Sequence, residues 1–153
     1  MGQVAVIESV RYPSQCSGCG SETECVGVQA LVGQRLEWDI GYHCPVCDDA
    51  SYECGPGGSR IPDDLRRRLL AEHGEARLVL SDPLAGPAVV MKVLRAELGG
   101  ELAEAKAALQ QIRAGVFAGT MPEMTLLVHR LRTAGVKAAA ERAEQCDEAS
   151  APC

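Results

Sequence analysis

Cys16-Ser17-Gly18-Cys19 and Cys44-Pro45-Val46-Cys47, with the alternating stretch between them, decide how the first third of this chain folds. After the first pair, Val26-Gly27-Val28-Gln29-Ala30-Leu31-Val32 places apolar side chains at every second position. After Gly33-Gln34 the alternation resumes in Leu36-Glu37-Trp38-Asp39-Ile40-Gly41-Tyr42. A period of two on both sides of a glycine-containing turn predicts a β-hairpin. The returning strand runs straight into the second Cys-x-x-Cys, so the hairpin carries the chain out and back and sets one cysteine pair beside the other. Gly20 follows the first pair, where a residue tolerant of positive φ relieves a sharp turn. Val4-Ala5-Val6-Ile7 reads as a further short strand.

Two residues between cysteines let both sulfurs reach one ion about 2.3 Å away, and two such pairs close a tetrahedron. The 24 residues between the pairs exceed the usual spacing of roughly 15–20, and the hairpin accounts for the excess. Residues 1–58 include one Trp and one apolar sheet face, too little for a self-sufficient core. A metal would supply the deficit, with apparent binding energies of roughly 10–16 kcal/mol in small structural sites. The expectation is therefore a structural Zn2+ held by Cys16, Cys19, Cys44 and Cys47, with no open catalytic position. In this the segment resembles a zinc ribbon.

Around the expected site, His43 reads as a surface or supporting residue, since four cysteines saturate the ion. Cys25 and Cys54 lie at corresponding places beyond the two pairs and are expected mainly as packed or idle thiols, with a redox-sensitive pair as the alternative. Gly55-Pro56-Gly57-Gly58-Ser59 is a linker by composition. Next comes a short helix around Leu65, Leu69 and Leu70, with acids in its first turn and Gly74 at its end. Its Arg66-Arg67-Arg68 run reads mainly as a solvated face.

Beyond Glu75 the pattern gives a strand at Leu78-Val79-Leu80 and turn residues through Gly86-Pro87. A helix over 88–98 follows, closed by Gly99-Gly100, then a second helix from Leu102. An extended link at 116–120, a third helix from Pro122 to Gly135 and a final edge strand at 136–140 complete the order β-α-α-β-α-β. The fold class expected is α+β. The expected units are 1–58, a linker with a short helix over 59–74, an α/β domain over 75–140, and an acidic flexible tail over 141–153.

Met91-Lys92-Val93-Leu94-Arg95, Gly99, Leu102-Ala103-Glu104-Ala105-Lys106 and the closing Ala134-Gly135-Val136 resemble the C-terminal domain of the bacterial ribosomal stalk protein of the large subunit. The resemblance covers residues 76–140. It implies a docking face for translational GTPases on the first two helices, with Lys92, Arg95 and Lys106 at basic positions and Ala88, Val89 and Met91 at the apolar ones beside them. One departure weighs against GTPase docking: Pro87 stands where the family carries a lysine. The family's ribosome-anchoring N-terminal half has no counterpart here.

The 153-residue chain has a net charge of −6, and residues 1–58 carry two basic and eight acidic side chains. That imbalance argues against nucleic-acid binding, which needs a dense basic patch. No apolar run approaches the roughly 18–20 residues of a membrane span, and no secretory leader is evident, so a cytoplasmic address is expected. No glycine-rich phosphate loop occurs, and His73 and His129 lack a nucleophile with an orienting acid. The function expected is that of a non-enzymatic zinc-binding adaptor for a protein partner. The alternative is a thiol-based redox or zinc sensor, suggested by eight cysteines, four more than the site needs. Cys146 and Cys153 read as exposed thiols of the tail.

Overall fold

The computed structural model describes residues 4–55, 60–82 and 86–142, with the side chains of residues 4 and 5 left aside. Within them the chain is α+β, as its pattern predicts. Four antiparallel strands form a meander, β1 (Val4–Gln15), β2 (Glu22–Val32), β3 (Arg35–His43) and β4 (Ala50–Cys54), in the spatial order β1-β2-β3-β4. The hairpin register sets Val32 against Arg35 and Cys25 against Tyr42. Gly33 turns the chain there with a φ of 61°.

Two strands depart from the sequence reading. β1 was expected to be a four-residue strand but spans twelve residues and leads directly into Cys16. It is an edge strand, so Pro13 removes no interior ladder bond. β4 was not foreseen at all, because its five residues are all exposed and carry no inward apolar period. Its position follows from the second cysteine loop, which returns the chain alongside β3.

The helix α1 (Asp63–His73) buries Leu65 and Leu69 against the first sheet, in a cluster with Val10 and Ile61 that Tyr12, Trp38 and Ile40 flank. Gly27 makes this approach possible: a Cβ there would collide with Leu65 Cδ1. The arginine run is a solvated face only in part, with Arg67 76% exposed. Arg66 binds Glu123 through both Nε and Nη2, Arg67 and Arg68 pair with Asp64, and the Arg68 guanidinium lies 4.0 Å from the Tyr12 ring centroid.

The second half runs β5 (Ala76–Leu80), α2 (Pro87–Leu98), α3 (Leu102–Arg113), β6 (Ala118–Gly119), α4 (Met121–Thr133) and β7 (Ala138–Arg142), with the sheet ordered β6-β5-β7. This is the β-α-α-β-α-β order that the sequence predicts. Its core joins Leu78, Val90, Leu94, Leu109, Leu127 and Leu131. Helix α4 also touches β1, β2 and β3, which explains why Leu126 and Pro122 are buried as well as its core-facing stripe. The junction between the two sheets is polar and largely satisfied. Thr120 Oγ1 donates to Gln29 Oε1 at 2.5 Å, both side chains being buried, and Arg142 pairs with the buried Glu8 at 2.9 Å. Residues 143–153 and 56–59, where the tail with Cys146 and Cys153 and most of the linker were expected, lie outside the described residues.

Candidate metal centre

Each cysteine pair sits in a tight loop at one end of the first sheet, and the two loops are built alike. In the first, Cys16 N–H donates to Ser21 O and Gly20 N–H donates to Cys16 O. In the second, Cys44 N–H donates to Asp49 O at 2.7 Å and Asp48 N–H donates to Cys44 O at 3.0 Å. Both turn through a left-handed residue at the position after the second cysteine: Gly20 at φ 74° and Asp48 at φ 65°. Asp is one of the few residues with a side chain that visits this region readily.

The four sulfurs lie within 4.8 Å of one another. Cys16 Sγ is 3.5 Å from Cys47 Sγ, and Cys19 Sγ is 3.7 Å from Cys44 Sγ. Four sulfurs about 2.3 Å from one central ion would stand about 3.8 Å apart in a tetrahedron, so the cluster has the dimensions of a closed four-thiolate site. All the cysteines among the described residues are free thiols. Cys16 and Cys44 are buried, whereas Cys19 and Cys47 reach the surface.

Hydrogen bonds and the crowding of the sulfurs drive their proton affinities apart. Ser21, through its hydroxyl and backbone N–H, draws Cys19 down to about 6. The Asp49 backbone N–H favours the Cys47 thiolate too, but the sulfurs of Cys16, Cys19 and Cys44, together with desolvation, outweigh it and push Cys47 up to about 12. Four sulfurs this close cannot all be anionic unless a cation sits among them, and a thiol that ligates a metal is deprotonated outright.

No protein-family model matches the sequence, and no curated protein matches it significantly.

The two loops are stapled by Tyr42, which the sequence reading passed over as one more residue of the alternating strand. Its hydroxyl accepts the Ser17 N–H at 3.1 Å, lies 2.6 Å from Ser17 Oγ, and donates to Asp49 Oδ2 at 3.4 Å. Asp49 Oδ2 in turn stands 3.7 Å from Cys16 Sγ. Its place was legible in part, since Tyr42 is two residues before Cys44 on a strand whose pattern was recognised. His43 is exposed, and its Nε2 lies 2.7 Å from Asp48 Oδ1, a supporting position outside the sulfur cluster.

Cys25 and Cys54 do not meet. Cys25 opposes Tyr42 and Cys54 opposes Asp39, so the alternation of the sheet sends them to opposite faces. Cys25 is buried beside Tyr12, whose hydroxyl is raised by burial first and by that thiol second. On the second-half surface, Ala88, Val89, Lys92, Arg95 and Lys106 are exposed and Met91 is half-buried against the core. Ala88, Lys92 and Arg95 follow helical spacing along one side of α2.

Proposed function

We propose that the chain is a non-enzymatic adaptor, in which a structural zinc ion holds the first sheet together and the α2–α3 face docks another protein. The observation that carries the metal half is the sulfur cluster: two matched loops, four sulfurs at tetrahedral spacing, and no position left for a substrate. Four thiolates in a tetrahedron suit zinc or iron best, and elemental analysis of purified protein decides between them. Finding neither metal, with a fold indifferent to chelators, overturns the proposal.

The docking half is supported by side chains that fold stability does not employ. Lys92, Arg95 and Lys106 take part in no ion pair among the described residues and stand beside exposed Ala88 and Val89. Leu98 and Leu102 extend this apolar surface at the α2–α3 turn, each at least half exposed. A partner with an acidic, partly apolar helix would complement it. A translational GTPase is the class that the stalk-protein resemblance suggests. Pull-down with the wild type and with Lys92→Glu/Arg95→Glu tests this, and equal recovery of partner by both would rule it out.

The sensor reading has its own support in the exposure of Cys19 and Cys47, which leaves one sulfur of each pair open to oxidants. Metal release titrated against mild peroxide distinguishes it. A centre that keeps its metal while free thiols oxidise is structural only.

A further inference from the structure

The first sheet is covered on one side and open on the other. Val10, Gly27 and Gln29 belong to the face that meets α1 and α4, through Leu65 and Thr120 among others. Register places Ile7, Val26, Val28, Ala30, Glu37, Asp39, Gly41, Tyr52 and Cys54 on the opposite face. Among the described residues no helix packs there. On the sheet's two edge strands Ile7 is 56% exposed and Tyr52 79%.

Tyr52 is nonetheless held in place. It opposes Gly41, where an added Cβ would lie 2.5 Å from Tyr52 Cδ1. The ring therefore lies down over the glycine of β3 and presents its outer surface to solvent. Beside it is a shallow hollow of about 270 Å³, bordered by Val28, Ala30, Glu37, Asp39 and Cys54. Neither Glu37 nor Asp39 takes part in an ion pair among the described residues. Among the described residues β4 is the last strand of the sheet, carries neither Lys nor Pro, and has no neighbour along its outer edge.

We propose that this open face and the β4 edge dock an extended, basic segment of a partner protein. The segment pairs along β4 as a fifth strand, lays an apolar stem on Tyr52, and directs Lys or Arg side chains across β4 toward Asp39 and Glu37. Strand addition supplies backbone hydrogen bonds, and the alternation of side chains supplies selectivity. A cation over the exposed ring face adds to it, and the aliphatic part of Lys or Arg covers the apolar floor.

Charge selects this occupant over the others. On this face register places Glu22, Glu24, Glu37 and Asp39 beside Arg11 and Arg35, with Arg11 paired to Glu24, so a second copy of the face would set an acidic excess against its like. The chain's own segment 143–153 has three acidic and no basic side chains, and it fits the face no better. Nucleic acid is disfavoured by the same sign. The proposal is independent of the α2–α3 surface.

The test uses the metal-loaded full chain, labelled for backbone amide NMR, and the capped hexapeptide of alternating lysine and valine. Saturable shifts are expected on the amides of Ala50–Cys54 and of Glu37–Asp39. The variant Glu37→Gln/Asp39→Asn alters only exposed side chains and should weaken binding about tenfold or more, with Trp38 fluorescence and metal content unchanged. A peptide alternating lysine and proline, which cannot pair as a strand, should bind much more weakly. Equal binding of the proline peptide, equal binding to the double variant, or no binding of the valine peptide at millimolar concentration overturns the proposal.

Discussion

Gly20 and Asp48 hold the same left-handed backbone at the same step of two loops, with different side chains. The comparison isolates what the turn demands. Asp48→Gly removes only an exposed contact to His43, so its effect on unfolding free energy is expected to stay within about 1 kcal/mol. Asp48→Val places a branched side chain at positive φ and should cost about 1–2 kcal/mol; denaturant unfolding of the metal-loaded variants measures both. Equal stability of the two variants would mean that the turn does not govern the loop. Tyr42 gives the second residue-scale expectation. Tyr42→Phe keeps the ring and deletes the hydroxyl that ties Ser17 to Asp49. By comparison with other groups that orient metal ligands, metal affinity should fall about 10–100-fold, read by competition with a chromophoric chelator. An unchanged affinity would reduce Tyr42 to a strand residue.

Among the elements, α1 and α4 decide how tightly the parts are joined. Gly27→Ala forces a methyl group into Leu65, a side chain buried to within 1%, and overpacking of this kind costs about 1–3 kcal/mol. Thr120→Ala removes the cap that accepts Glu123 N–H at the start of α4, and also the donor to buried Gln29. Loss of such a cap alone costs about 0.5–2 kcal/mol, and thermal unfolding should place the variant at or beyond the top of that range because Gln29 is left without its partner. These junctions were not legible in the sequence. The hairpin was, since two largely alternating runs flank Gly33, although β2 buries Gly27, Gln29 and Leu31 rather than the apolar phase Val26, Val28 and Ala30. The helices were legible too, since Pro87, Gly99 and Pro122 mark their ends. The cysteine cluster was readable from spacing alone. What stayed hidden has no local pattern. β4 has no buried face, Arg66 finds its acid 57 residues away, and Gln29 and Thr120 meet across 91. Whether Cys25 and Cys54 meet was not legible either, because equal distance from a motif says nothing about which face of a sheet a side chain takes.

For the molecule as a whole, the two cores differ in size, and that sets what metal removal should do. Among the described residues, the α1 cluster under the first sheet holds four buried residues, whereas the core around β5 holds fifteen. Stripping the metal leaves four crowded thiols in place of a closed site, and the small cluster has little burial to offset the loss. The second core keeps its own contacts, losing chiefly the cover over α4 and the pairs Arg66–Glu123 and Arg142–Glu8. Trp38 is the only tryptophan and flanks the small cluster, so its emission reports on the first sheet, while far-ultraviolet dichroism is dominated by the helices. With metal, the two signals should unfold together on heating, because α4 is packed into both halves. After chelation, Trp38 should become solvent-exposed at temperatures where most of the helical signal persists, and that remaining transition should occur at a lower temperature than in the loaded protein. Coincident transitions in the stripped chain would show that the metal is dispensable to the first sheet. An unchanged helical transition would show instead that α4 draws no support from it.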